Sequence, residues 1–361
     1  MDDMAIDTDE IYYDSLTLLK RLITIPSHSR EEDAASKAVA EFLTSALPQC
    51  EVKTLHNNVW VAAQGFDPSR PTIMLNSHID TVKPVSGWTL PPYEATEADD
   101  RLYGLGSNDA GASLVSLIAA FRILSERENR YNLIFAASAE EEVSGANGME
   151  LLIKELPPIT FAVVGEPTGM QPAIAEKGLM VLDCAVRGIS GHAARNEGEN
   201  AIYKALPQID ALRKYRFSGI SPMLGSVKIT VTQIAAGTQH NVVPDLCTFV
   251  VDVRPNGMYS NREILDELQR EFPECEIKAR SLRLNSSHIE ETHPFVSRCT
   301  LLGLEPFGSP TLSDQALIPY KSVKIGPGDS ARSHTADEYI RPEEIREAID
   351  MYVRLLDGLT L

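Results

Sequence analysis

The chain has 361 residues, 43% of them hydrophobic and 23% charged, with 33 Lys plus Arg against 51 Asp plus Glu and a formal charge of −18. That length is long for one hydrophobic core, so two domains are expected. No basic block offsets the acidity, which argues against nucleic acid as a partner. No apolar run approaches the roughly 18–20 residues of a membrane span. Cys50, Cys184, Cys247, Cys275 and Cys299 form no C-x-x-C pair. They read as reduced thiols of a cytoplasmic protein, neither a disulfide frame nor a thiolate metal site. The start, "MDDMAIDTDEIYYDS", lacks the basic then apolar order of a signal peptide.

Apolar residues recur at helical spacing over 10–24 and 30–46, with "SHSREED" between them offering capping and acidic first-turn residues. Strand patterns follow at 51–54, 59–63 and 71–77. A helix fits "GASLVSLIAAFRILSE", then a strand ending at Ser138, a helix near 145–154 and a strand at 161–165. Strands alternating with helices predict an α/β fold with a mostly parallel sheet flanked by helices. After "AEKG" at 175–178 the pattern changes to a strand at 179–188, a helix at 198–214 and strands at 226–236 and 246–254. A helix at 260–272 and a strand at 276–285 complete that set. This β-α-β-β-α-β order predicts a ferredoxin-like α+β domain. The first style resumes at "THPFVSR" and ends in a helix at 342–357. The expected organisation is a catalytic domain, 1–178 plus 287–361, interrupted by an inserted domain at 179–286.

Five places carry candidate chemistry. His78 and Asp80 in "NSHIDTV" close an apolar strand, and positions i and i+2 of extended chain face the same way. A carboxylate beside a metal-bound imidazole fixes its tautomer, although H-x-D alone is equally an ordinary surface pair. Asp109 stands in the Gly-rich "LYGLGSNDAGAS" before a helix, where an N-cap is the bland alternative. Glu140, Glu141 and Glu142 follow a buried strand; Glu166 in "VVGEPTG" follows another; His334 lies in "GPGDSARSHTADEYI". Most fall just past strand ends, where open α/β sheets bind ligands. Two imidazoles and several carboxylates without a thiolate suit zinc or a similar divalent ion. One carboxylate can bridge two such ions. Competing signals are weak: "GLGSND" lacks the third glycine of a dinucleotide loop, and no phosphate loop or G-x-S-x-G elbow is present.

In order, "SHIDTV", "GLGSNDAG", "AEEEVSG", "VGEPT", "GISGHAARNEGENAI", "NVVPD", "DVRP" and "GPGDSARSHTADEYI" resemble the dinuclear zinc deacylase and exopeptidase family. That family includes acetylornithine deacetylase, succinyl-diaminopimelate desuccinylase, aminoacylase and carboxypeptidase G. The resemblance implies that His78, Asp109 and Glu166 hold one metal and Asp109, Glu142 and His334 the other, with Asp109 bridging. It makes Asp80 the orienting partner of His78 and Glu141 the general base for a metal-bridging water. Glu140 takes a position where the family usually has Asp. The inserted domain is implied to be a lid or dimerisation domain. Its His192 would polarise the scissile carbonyl, often from the partner subunit, while Asn241 and Arg254 would contact substrate or organise the domain. The lysine of the family's D-x-K-G is absent, since Ala110, Gly111 and Ala112 follow Asp109.

The expected function is therefore metal-dependent hydrolysis of the amide of a small N-acyl amino acid. N-acetyl- or N-succinyl-ornithine, or the citrulline equivalents of arginine biosynthesis, are the leading substrates. Two Zn2+ ions, with Co2+ as a substitute, and a homodimer formed through the inserted domain are expected. A di- or tripeptidase or aminopeptidase using the same site is the alternative within enzymes. A catalytically inactive binding protein is the alternative outside them.

Overall fold

The structure, a computed structural model, describes residues 8–361; the acidic start at 1–7, read above as no signal peptide, lies outside the described residues. The described residues divide into two compact units, one running to residue 174 and including 289–307 and 313–361, the other of 175–288 and 308–312. Among the described residues no helix is long and apolar enough to cross a membrane.

The first unit begins with α1 (Thr8–Ile23) and α2 (Asp33–Ala46), then β1 (Val52–Leu55), β2 (Asn58–Ala62) and β3 (Thr72–His78). Short β4 (Thr96–Ala98) and β5 (Arg101–Tyr103) lead to α3 (Ala112–Ser125), β6 (Asn132–Ser138), α4 (Met149–Leu152), β7 (Phe161–Val164) and β8 (Ala173–Glu176). The second unit holds β9 (Met180–Arg187), β10 (Gly191–His192), α5 (Ala201–Lys214), β11 (Lys228–Ala236), β12 (Val242–Val243) and β13 (Leu246–Arg254). It continues with α6 (Asn261–Glu271), β14 (Glu276–Ala279) and β15 (Ser287–His288). The chain closes with α7 (Pro294–Leu301), β16 (Phe307–Ser309), β17 (Lys321–Lys324), β18 (Tyr339–Ile340) and α8 (Pro342–Leu356).

In the first unit the strand order is β1-β2-β6-β3-β7-β17-β8. The pairs β6–β3, β3–β7 and β7–β17 are parallel, and β1–β2 and β2–β6 antiparallel. The parallel strands are buried along their whole length apart from Lys321, as covering both faces of a parallel sheet requires. On α3 nearly every residue is buried, Leu114, Leu117, Ile118, Phe121 and Leu124 among them. A helix apolar all round belongs inside, and α3 packs against α1, α8 and the sheet. Cutting Phe121 or Phe135 back to Ala would cost about 3–5 kcal/mol.

Elements without a strong periodic pattern depart from expectation. The helix near 145–154 is reduced to Met149–Leu152, because the turn before it follows the needs of Glu140. The start of α2 is not capped by a side chain. The Glu32 carboxylate, fully buried, accepts hydrogen bonds from Arg30 N, Asn57 Nδ2 and Glu140 N.

In the second unit the antiparallel order is β11-β13-β9-β14. Strand β9 alternates between buried Met180, Leu182, Cys184 and Val186 and the more exposed Val181, Asp183, Ala185 and Arg187, so one face is covered by α5 and α6. The final strand stops at Ala279, short of the expected 285.

Candidate active site

Strand register places the site. His78 pairs with Ser138, Asn76 with Val164, and Val164 with Lys324. The carboxyl ends of β3, β6, β7 and β17 are therefore level. Glu166, two residues past Val164, comes level with His78, and Glu140 to Glu142 leave the adjacent strand at the same height. This is the edge at which α/β sheets gather ligands.

Asp109 sits between two imidazoles. Its Oδ1 lies 3.3 Å from His78 Nε2, and its Oδ2 lies 3.6 Å from His334 Nε2. Glu166 Oε1 is 3.8 Å from His78 Nε2, and Glu142 Oε2 is 3.0 Å from His334 Nε2. Ligand atoms of His78, Asp109 and Glu166 all lie within 4.8 Å of one another, as do those of Asp109, Glu142 and His334. Glu141 belongs to neither group. The Asp109–Ala110 peptide is cis. Asp109 is not the N-cap of α3, a place taken by Gly111.

Burial, reinforced by Glu166, pushes the Glu141 carboxyl well above its ordinary value. Burial likewise raises Glu166 against the pull of His78. The hydrogen bond that the His334 ring donates to the Glu142 carboxylate lifts the imidazole to about 9. Four carboxylates are thus concentrated where water is scarce. A cation relieves that cost, and an oxygen and nitrogen donor set without sulfur suits divalent ions. The residues present fit two ions sharing Asp109.

Asp80 does more than the i, i+2 spacing implies. His78 Nδ1 lies 2.9 Å from the backbone carbonyl oxygen of Asp80 and 3.5 Å from its carboxylate. The carboxylate accepts Glu141 N–H at Oδ1 (3.0 Å) and Glu142 N–H at Oδ2 (3.1 Å). Ser29 Oγ also donates to Oδ2, at 2.7 Å. Asp80 therefore holds both glutamates through their backbone. Glu140 turns elsewhere: its Oε1 accepts Asn147 Nδ2 at 2.9 Å. A Cβ on Gly145 would meet Glu140 Oε2 at 1.8 Å, so only glycine lets the turn close over that carboxylate.

His192, Asn241 and Arg254 lie in the second unit. His192 pairs with Val242, and Ala193 N donates to Asn241 O at 3.0 Å, so His192 and Asn241 share one ribbon. His192 Nδ1 accepts Ala194 N–H at 3.1 Å, which leaves the proton of the neutral ring on Nε2. Arg254 is engaged bidentately by Asp252, at 2.9 and 3.1 Å.

Sequence reasoning missed four groups. Ser29 and Glu32 act on the site from the α1–α2 connection. Asp314, raised to about 6 mainly by burial, accepts a hydrogen bond from Ser138 at 2.5 Å. Glu338 grips the Asp109 turn, and its only signal was its place in the motif that carries His334.

This fold and this paired carboxylate–imidazole cluster define a metallohydrolase with a dinuclear site. A profile of Peptidase family M20/M25/M40 matches residues 74–358, and the chain belongs to that family. Its members are dinuclear metal-dependent hydrolases that act on amide bonds. The acetylornithine deacetylase of Myxococcus xanthus is 29% identical over 309 residues, covering 80% of each chain. A Mycobacterium tuberculosis protein assigned as a succinyl-diaminopimelate desuccinylase is 27% identical over 358 residues, 96% of this chain and 98% of the relative. The crystal structure of the Bacillus cereus aminopeptidase PepT superposes with a TM-score of 0.77 at 18% identity, over 96% of this chain and 98% of that one. That likeness shows the fold alone.

Proposed function

We propose that the chain releases the acyl group from a small N-acyl amino acid of the ornithine or citrulline type, using two zinc ions. The observation that carries this reading is Asp109, with one carboxylate oxygen toward each imidazole and Glu141 outside both groups. His78, Asp109 and Glu166 would hold one ion; Asp109, Glu142 and His334 the other. Bound there, the ions would supply Lewis acidity and make a nearby water more acidic. Glu141 takes the proton of the attacking water at its carboxylate and returns it to the leaving nitrogen. A base that also ligated metal would be less basic, and Asp80 keeps the two glutamates apart by holding each backbone N–H on a different oxygen. His192 donates from Nε2 to the oxygen of the cleaved carbonyl. Asn241 flanks it on the same ribbon, and Arg254 organises β13 through Asp252.

The deacylase relatives in M. xanthus and M. tuberculosis support the acyl reading, and a role in arginine-type biosynthesis in the cytoplasm accords with it. Two copies associate through the second unit, where Tyr203, Leu206 and Ile234 are 73%, 54% and 57% exposed. Light scattering that returned only a monomer would remove that part. The same groups would cleave a dipeptide or tripeptide. The deciding assay offers N-acetyl, N-succinyl and N-formyl amino acids together with dipeptides and tripeptides, and measures released amine with zinc and with cobalt. Turnover of the acyl compounds above the peptides is expected. The reverse order would replace the deacylase reading with the peptidase one.

A further inference from the structure

The segment that supplies His334 also grips the Asp109 turn. Glu338 is 2% exposed. Its Oε1 accepts Asn108 N–H and Asp109 N–H, both at 2.9 Å, and its Oε2 accepts Gly106 N–H at 3.0 Å. Its backbone carbonyl accepts Gly104 N–H at 3.0 Å. Strand β18, next in sequence, is antiparallel to β5, pairing Tyr339 with Tyr103 and Ile340 with Leu102, which seats Glu338 beneath the turn. From the other end of the segment, Ser333 Oγ accepts Asn108 Nδ2 at 3.2 Å. The backbone from which the Asp109 carboxylate projects is thus held by Glu338 on both sides of Asn108. We propose that Glu338 is a positioning residue for the dinuclear centre: by binding three backbone N–H groups of the Gly106–Asp109 turn, it sets the orientation of the bridging Asp109 carboxylate relative to His334.

This rests on the two-ion reading of the site, and its test is separable from it. Glu338→Gln keeps the shape but turns one acceptor oxygen into a donor facing an N–H. Groups that orient metal ligands typically contribute 10–100-fold to metal affinity, so zinc affinity of Glu338→Gln, measured by competition with a chromophoric chelator, should fall by about that factor. The visible spectrum of the cobalt-loaded protein should change as well. The adjacent Asp337 is a matched control. Its carboxylate accepts Thr89 N (2.8 Å), Thr89 Oγ1 (2.7 Å) and Leu90 N (3.1 Å), a clamp of the same kind on a loop without metal ligands. Asp337→Asn should lower the melting temperature and leave metal affinity and the cobalt spectrum as in the wild type. If Glu338→Gln does not fold, Glu338→Asp, which keeps the charge but draws it back by one methylene, should fold and show the weakened affinity. Wild-type metal affinity and cobalt spectrum in the Glu338 variant that folds would overturn the proposal. Failure of the wild-type protein to take up two ions would overturn the reading beneath it.

Discussion

The two halves of the proposed metal site offer the same chemistry on different supports. His78 is 2% exposed and ends a strand paired on both sides, and its partner Glu166 follows the next strand in register. The His334 side chain is 52% exposed and stands at φ 59° on the loop between β17 and β18, a backbone region seldom used by residues other than glycine. Its partner Glu142 leaves a turn in which Glu140 and Ser144 also have positive φ, 55° and 44°. One half is placed by sheet register, the other by side-chain contacts between loops. The sheet-borne half should hold its ion more firmly, and substitutions should affect the two halves differently.

The largest effect is expected where neither half is touched. Glu141→Gln should lower kcat by about 10²–10⁴-fold, the usual contribution of a general base, while both metal equivalents remain. Glu142→Gln should instead lose the ion on the His334 side. If metal analysis returned the opposite pattern, the roles of the two glutamates would be exchanged. Next come the imidazoles. His334→Ala should cost one metal equivalent but change the stability of the metal-free protein by less than about 1 kcal/mol, because the His334 ring itself is half exposed. His78→Ala removes a buried imidazole together with its hydrogen bonds to Asp109 and the Asp80 carbonyl, and should destabilise the metal-free protein by about 1–3 kcal/mol. Paired metal analysis and denaturant melts check both, and equal costs would erase the distinction between the halves. A smaller effect is kinetic: a chelator should remove the wild-type metal in two phases, with the faster phase missing in His334→Ala.

The same division explains what the amino-acid sequence reveals. The ends of β3, β6 and β7 are readable because each is a buried apolar run that stops at a charged residue, so His78, the Glu140–Glu142 run and Glu166 stand out locally. The supporting contacts are not local. Glu338 meets Asp109 across 229 residues, Asp314 meets Ser138 across 176, and Ser29 meets Asp80 across 51. No periodicity or spacing connects such pairs; only the folded sheet does. Asp80 shows the limit within a motif. Its position beside His78 was legible, but its hold on the backbone of Glu141 and Glu142 depends on β3 and β6 being neighbours in register.

That hold yields the smallest prediction. Ser29 donates to Oδ2 of Asp80, the oxygen that also takes the Glu142 N–H, while Oδ1 takes the Glu141 N–H. Ser29→Ala removes one of the hydrogen bonds on Oδ2 and none on Oδ1. Loss of a single such bond is worth about 0.5–1.5 kcal/mol. The loosened oxygen is the one serving Glu142, so the loss should fall on metal affinity at the His334 side, by several-fold, more than on the base at Glu141. Activity measured at saturating metal should then stay near the wild-type value, and activity at limiting metal should drop. A fall in kcat that excess metal does not restore would mean that Asp80 moves as one body and couples the base to both halves of the site.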